Sequence, residues 1–474
     1  MGIRKDDIII VQLPNCWELA MLYLAITRAG ALISPVPMQW RESELQYVGE
    51  LTQARAFITV EEFQNFKHGE MVEKLRAKLP NLKHIIYLQE LREMGKGEIT
   101  GKLDEVKIDA NDIFTICWTY GTEIEPKGCP LSHNNWIIEG TGEVELTGVR
   151  EGETLLTAGP LVNIASVGTT YIPWLLVGGT FVLHHPFHPV VWMRQMIEET
   201  VNYTLLVPAV VNAIAKHPLV DEFDLSGVRS ITIGGAPPAL WSAQEFETRW
   251  SMEIGNIWGM NEGPGIVSGA MDVGDLEKRI EGLPQYGKRG VTWNGKVFSE
   301  CIETKLLDPE TGEEITEVGC VGELLYKGPN VMAGYFRRPD LTGKAFDEQG
   351  FLHTEDLFRI KEGNFISFVD RKKDIIIRGG FNISAQEVEN ILLGHPKVLD
   401  VAAVAMPDES LGERGCVYVV PREGEKVTLG ELTSFMKEKS IAAYKLPQRL
   451  EITKEIPKAR AGKILKNILR DDIR

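Results

Sequence analysis

Thr119-Tyr120-Gly121-Thr122-Glu123-Ile124-Glu125-Pro126-Lys127-Gly128 is the stretch on which the fold of this chain turns. It lies between an apolar run, residues 113–117, and a helix-compatible run starting at Ser132. Glycines, hydroxyls and one lysine between a strand and a helix can present backbone N–H groups and a cation to phosphates. By itself the stretch reads equally as an ordinary polar turn. A second segment, Gly290-Val291-Thr292-Trp293-Asn294-Gly295-Lys296-Val297, has phosphate-loop spacing. Val297 stands where the Ser or Thr for Mg2+ belongs, so the segment reads as a strand-linking turn.

Upstream, residues 8–12 and 31–36 and 56–60 are apolar runs separated by helix patterns. Asn15 with Glu18 three residues on predicts a helix start, and the helix over 17–29 is apolar almost all round, which predicts burial. Strands alternating with helices predict parallel βαβ units, and the pattern recurs at 204–207 and 230–233. After about Ile266 short alternating runs predict antiparallel strands of a small barrel or curved sheet: 301–307, a turn at 309–312, then 322–327. Beyond Arg371 the runs 383–393 (helix), 401–406 (strand), 416–420 (strand) and 429–437 (helix) predict a compact α+β unit. The expected fold is therefore α/β: a large domain, 1–370, of parallel-rich sheets plus a small β-barrel-like subdomain, then a mobile α+β domain, 371–474.

The 474 residues carry 51 Lys and Arg against 67 Asp and Glu, a net charge of −16, which argues against nucleic acid or an anionic membrane as the main partner. Residues 154–193 hold no Asp, Glu or Lys before Arg194, yet Pro160, Pro173 and Pro186 cut them into pieces too short to span a bilayer. They read as strand, buried helix, strand. The six cysteines have no zinc or redox spacing and read as buried free thiols in a reducing compartment. The polar start shows no signal-peptide pattern, so the expected location is the cytoplasm. His184-His185-Pro186-Phe187-His188 invites a metal reading, but neighbouring strand residues point to opposite faces, which favours a structural one.

Taken together, the motifs resemble the adenylate-forming superfamily of acyl- and aryl-CoA synthetases, luciferases and peptide-synthetase adenylation domains. Residues 119–128 with Leu131-Ser132-His133-Asn134-Asn135 resemble its signature loop. The further matches run in the family's order: Gly234-Gly235-Ala236-Pro237-Pro238; Trp258-Gly259-Met260-Asn261-Glu262; Gly322-Glu323-Leu324 with Met332-Ala333-Gly334-Tyr335; Gly350-Phe351-Leu352-His353-Thr354-Glu355-Asp356; Arg371-Lys372-Lys373-Asp374 with Gly379-Gly380; and Pro457-Lys458-Ala459-Arg460-Ala461-Gly462-Lys463. The start, Gly2-Ile3-Arg4-Lys5-Asp6-Asp7, matches a point inside the family's first subdomain, which predicts a missing leading segment.

The resemblance implies a two-step reaction using ATP, Mg2+ and coenzyme A, with AMP as leaving group. The closest likeness is to acyl-CoA synthetases, and the implied acid is medium-chain, alicyclic or aromatic. Two anions must meet, so cations and oriented dipoles are needed where charge accumulates. By resemblance, Lys463 is the adenylation lysine, and Thr119, Gly121, Thr122, Lys127 and Gly128 form the phosphate loop. Glu262 holds Mg2+, a hard cation suited to carboxylate oxygen. Asp356 accepts the ribose hydroxyls, Arg371 contacts ribose or phosphate, and Trp258 stacks on adenine in place of the commoner tyrosine. Gly234, Gly235, Ala236 and Pro237, with Gly259, Met260 and Asn261, line the nucleotide and acyl pocket. Lys373 is the hinge, and Gly379-Gly380 lie on the face used for thioester formation. Asn163 stands where many relatives carry histidine near the acyl channel.

The loop departs from the family at Tyr120, Glu123 and Ile124, Glu355 replaces a glycine, and Asn261 replaces a threonine. A carboxylate about 4 Å from a phosphate charge costs roughly 4 kcal/mol at an effective dielectric of 20, which predicts Glu123 turned away or weakened pyrophosphate contacts. The alternatives are a catalytically weak nucleotide- or acyl-binding relative on the same fold, and an adenylation domain acting with a carrier protein. The identity of the acid and the oligomeric state, a homodimer included, are open at this level.

Overall fold

A computed structural model describes residues 2–94, 105–119, 125–288, 290–378, 381–408, 411–439, 443–458 and 464–473. The chain divides into two compact units, Met1–Glu303 with Tyr326–Leu352 and Thr304–Leu325 with His353–Arg474. A division at 370/371 falls inside the second of these.

In the first unit, apolar runs become strands β1 (Ile8–Gln12), β2 (Leu32–Pro35), β3 (Ala56–Thr59), β4 (His84–Tyr87), β5 (Ile113–Trp118) and β6 (Gly128–Ser132). They form one sheet in the order β4-β3-β1-β2-β5-β6, parallel except for the last pair. The antiparallel β5–β6 pair corrects one expectation: the phosphate stretch is the tip of a hairpin, and a strand separates it from the helix at Ser132. β6 contains Pro130, which an edge strand tolerates because its missing N–H faces no ladder partner. A second sheet holds β7 (Thr154–Thr157), β8 (Thr180–Leu183), β9 (Tyr203–Leu206), β10 (Ser230–Gly234), β11 (Glu253–Gly259) and β12 (Gly265–Ser268), ordered β12-β11-β10-β9-β7-β8. It too is parallel until its last hairpin, β11–β12. A two-residue strand, β13 (Leu283–Pro284), follows; the segment from Gly290 to Val297 runs into a short helix, Lys296–Cys301, so the connection to the next strand is helical and not a simple turn.

The helix His133–Thr147 touches both sheets. Trp136 Nε1 donates to Thr115 Oγ1 on β5 at 2.9 Å, and Glu143, two turns on, accepts from Tyr203 Oη of β9 at 2.5 Å. Its buried stripe, Trp136, Glu139, Glu143 and Thr147, has the i, i+3, i+7 spacing of one helix face. Burial pushes the Glu139 carboxyl up to about 7, and burial with repulsion from Glu139 pushes Glu143 up to about 8. Glu143 Oε2 has no hydrogen-bond partner.

Two expectations about the first helix change. It runs Trp17–Arg28 and leaves Trp17, Met21 and Leu24 exposed on one face. Asn15 does not cap it: its amide donates to Gly159 O at 2.7 Å and accepts from Leu161 N at 3.0 Å, binding the helix entry to a distant loop. Cys117, Cys129 and Cys416 are buried free thiols as expected, but Cys301 is exposed.

The second unit begins with the antiparallel strands β14 (Glu303–Leu307), β15 (Glu314–Ile315), β16 (Val321–Lys327), β17 (Leu352–Lys361) and β18 (Phe365–Arg371), neighbours in the order β18-β17-β16-β14-β15. Then come β19 (Ile376–Arg378), β20 (Phe381–Ile383), β21 (Val398–Asp408), β22 (Gly412–Pro421) and β23 (Arg449–Ile452), with helices Ala385–Leu393, Leu429–Glu438 and Lys466–Ile473. The long β21–β22 hairpin is buried on both faces. Val401, Ala403, Val417 and Val419 meet Val388 and Leu392 of the first helix; Ala402, Val404, Cys416 and Tyr418 meet Leu469 of the last. Period-two alternation of two apolar faces explains why these strands read as unbroken hydrophobic runs.

Candidate active site

In open α/β sheets, ligands bind beyond the carboxyl ends of parallel strands. In the first unit, Gly234-Gly235-Ala236-Pro237 leave the end of β10 and Trp258-Gly259 the end of neighbouring β11, with Gly234 in register with Ile257. The two glycines have different reasons. A Cβ on Gly234 would sit 2.5 Å from Ile257 Cγ2, whereas Gly235 has φ +87°. At Gly234 it is thus the adjacent strand that leaves no room for a side chain.

The hairpin neck is closed by Thr119 and Lys127. Thr119 N donates to Lys127 O at 3.0 Å, and Lys127 N to Thr119 Oγ1 at 3.1 Å. Lys127 Nζ lies 5.1 Å from the centre of the Tyr335 ring, and Tyr335 Oη donates to Glu262 Oε1 at 2.8 Å. Glu262 is only 5% exposed, so this hydroxyl helps hold a carboxylate largely removed from water. Asn261 makes a second tie: its amide donates to Trp118 O at 2.8 Å, just before the hairpin neck, and accepts from Ile164 N at 3.0 Å. The carboxamide carries its donor and its acceptor on separate atoms, so Asn261 serves both partners at once. The structure therefore brings Thr119, Lys127, Asn261 and Glu262 together. Tyr335 is the member without a role in the sequence reading, although its Gly-Tyr motif marked the place.

In the second unit, Asp356 and Arg371 are register partners on β17 and β18, with Arg371 Nε 3.6 Å from Asp356 Oδ1. Glu323 of β16 is buried and pairs with Lys372 at 3.1 Å and His353 at 3.2 Å; it also accepts from Glu355 N at 3.3 Å. Glu355 has φ +59°, the left-handed conformation a glycine would enter freely. Lys373 lies in the 3-10 turn Lys372–Asp374. Arg470 donates to Lys373 O at 3.0 Å and to Asp374 Oδ1 at 2.6 Å. Burial opposes ionisation of Asp374, but Lys466, Arg470 and Arg371 outweigh it and hold its carboxyl below the usual range.

Gly121, Thr122, Gly379, Gly380 and Lys463 lie outside the described residues, as do Tyr120, Glu123 and Ile124. On either side of the Lys463 loop, Lys458 and Ile464 form an antiparallel bridge, Lys458 pairs with Asp400 at 2.6 Å, and Lys466 with buried Glu389 at 3.0 Å. Asn163 caps the short helix Ile164–Ser166, accepting from Ser166 N at 3.2 Å. Both ring nitrogens of His184 are committed, Nδ1 to Gln195 Oε1 and Nε2 to His188 N, which supports the structural reading of that cluster. Among the described residues there is no group of three His, Cys, Asp or Glu able to hold a metal. Nor, among them, is any helix long and apolar enough to cross a membrane.

The model of the AMP-binding enzyme family matches residues 1–336, and that of the AMP-binding enzyme C-terminal domain matches residues 387–463. This chain belongs to the AMP-binding enzyme family. It is 31% identical over 486 residues to the medium-chain fatty-acid–CoA ligase of Escherichia coli (strain K12), across 100% of this chain and 82% of that protein. It is also 31% identical over 480 residues to the 2,3-dihydroxybenzoate-AMP ligase of Bacillus subtilis (strain 168), across 100% and 85%. The crystal structure of ATP-bound MatB from Rhodopseudomonas palustris superposes with a TM-score of 0.85 over 99% of this chain and 89% of that one, at 23% identity, a likeness of fold.

Proposed function

We propose that this protein is an AMP-forming acid–thiol ligase that joins a medium-chain, alicyclic or aromatic carboxylic acid to coenzyme A. The carrying observation is the meeting of the hairpin neck with the Glu262 turn through Tyr335 and Asn261. That arrangement supports a site where a triphosphate on the Thr119–Lys127 hairpin lies beside a metal-binding carboxylate. Glu262, a buried all-oxygen donor, suits Mg2+, which would neutralise phosphate charge there. Trp258 would stack on adenine, and Gly234, Gly235, Ala236, Pro237, Gly259 and Met260 would line the pocket. Asp356 and Arg371 would hold the ribose.

In the first step a carboxylate oxygen attacks the α-phosphorus, the bond to the bridging oxygen breaks, and pyrophosphate leaves. Lys463 would stabilise the charge gathered there. In the second, the thiolate of coenzyme A attacks the acyl carbon and AMP departs with the bonding pair. Domain 371–474 would turn about Lys373 between the steps, bringing Lys463 in for the first and Gly379-Gly380 for the second. A cytoplasmic location goes with this reading. Carboxylate-dependent exchange of pyrophosphate into ATP across an acid panel tests it; ATP binding with no exchange for any acid would defeat it. The equal identity to an AMP ligase favours a second reading, transfer to a carrier-bound thiol. Thioester formation with free coenzyme A separates the two.

A further inference from the structure

The turn carrying Glu262 has little support of its own. Met260 N bonds to Pro264 O at 3.0 Å and Gly263 N to Met260 O at 3.1 Å. Beside the ties of Asn261 to Trp118 and Ile164, it is held by residues 326–335. Met332 N donates to Glu262 O at 2.8 Å, Asn330 Nδ2 to Gly263 O at 3.1 Å, and Tyr326 Oη to Gly265 O at 3.1 Å. The same segment is fastened on its other side to the helix that grows out of the phosphate hairpin. Asn135 Nδ2 donates to Pro329 O at 2.6 Å and Val331 O at 3.2 Å, and Asn330 Nδ2 donates to Glu139 Oε2 at 3.0 Å. Phe336 N donates to Gly128 O at 2.8 Å, on the hairpin itself.

We propose that residues 326–335 are a strap that sets the spacing between the phosphate hairpin and the metal-binding turn, with Asn330 and Asn135 as its positioning residues. This rests on the reading of Glu262 as the Mg2+ ligand. Strap and turn meet backbone to backbone at Gly263, where a Cβ would lie 2.1 Å from Asn330 O. Asn330 is 1% exposed, and its amide serves Gly263 and Glu139 at once. A carboxylate has no N–H and an aliphatic side chain has neither donor nor acceptor, so the position calls for a primary amide. Displacement of this amide would move the Glu262 backbone relative to the hairpin, and a metal held by Glu262 would respond to that spacing.

The experiment is an electron paramagnetic resonance titration of Mn2+ into the full-length protein with ATP, beside calorimetric ATP binding in EDTA. Asn330→Ala and Asn135→Ala should weaken Mn2+ by about fivefold or more, the equivalent of one hydrogen bond, with metal-free ATP affinity unchanged. Tyr326→Phe, which keeps the ring and removes the hydroxyl that bonds to Gly265 O and to the Asn330 amide, should shift Mn2+ in the same direction and carries the test if Asn330→Ala gives no cooperative melt. Unchanged Mn2+ affinity, or an equal loss of metal-free ATP binding, overturns the strap. Glu262→Gln separates two failures. Loss there with none in the asparagine variants overturns the strap alone, whereas no loss there overturns the metal assignment and the strap with it.

Discussion

In the first unit the Glu262 turn is held by amide, hydroxyl and backbone hydrogen bonds from Asn330, Tyr326, Tyr335 and Met332. In the second, the Lys373 turn is flanked by ion pairs: Arg371 with Asp356, Lys372 with Glu323, and Arg470 with Asp374. Short, directional hydrogen bonds fix a spacing and tolerate little displacement. Ion pairs keep attraction over several ångströms, so they can guide a part that turns. The buried acids differ in the same sense. Glu139 and Glu143 are stabilised in their protonated forms, Asp374 in its ionised form. The first unit should therefore weaken toward alkali and the second toward acid.

The largest expected effect tests the second unit. Lys463→Ala should slow acyl-AMP formation by about a hundredfold or more and spare thioester formation from supplied acyl-AMP. Equal loss in both half-reactions, followed by rapid quench, would remove the assignment. Next is the alkaline limb. A carboxyl raised in the folded state contributes stability that is full below its unfolded value and is lost as pH rises through the folded one. For Glu139 and Glu143 that window runs from about 4.5 to about 8. Glu143→Gln should thus recover about 2 kcal/mol of the stability lost between pH 6 and 8. Hydrogen exchange read by mass spectrometry should place the gain in residues 1–303; a gain elsewhere breaks the comparison.

Tyr335→Phe should raise the Mg2+ concentration needed for pyrophosphate exchange about tenfold, as expected for a hydrogen bond to a charged group. An unchanged requirement would detach Tyr335 from the metal. Arg470→Ala should cost the second unit about 1 kcal/mol at neutral pH. Because a lowered carboxyl gives stability above its unfolded value, near 3.8, that cost should vanish as acid protonates Asp374. Urea melts at pH 7 and at about pH 2, well below 3.8, check this, and a cost that persists there contradicts the ion-pair account. Smallest is Glu355→Gly, which should stabilise by up to about 1 kcal/mol by relieving the left-handed backbone, seen as a small rise in Tm.

The sequence carried much of this layout because strands and chemistry coincide at their ends. Residues 230–233 read as a strand that stops at the Gly234-Gly235 motif, so periodicity and motif order agree on where the site lies. The extra strand β6 was not legible: Gly128-Cys129-Pro130 reads as a turn until a sheet edge accommodates the proline. Asn15 misled because a cap and a long-range bridge use the same amide. Asn330 was silent for a related reason. Gly328-Pro329-Asn330 has the composition of a turn, and only the fold brings Glu139, 191 residues away in sequence, to its side.

The six thiols carry a practical consequence. Cys117 and Cys416 have sulfhydryls pushed up to about 12 by burial and will resist alkylation, while Cys301 is exposed. A maleimide dye should therefore settle on Cys301 of the unmodified protein well before it reaches either, and replacing the half-buried Cys16 and Cys320 would make it a selective fluorescent handle.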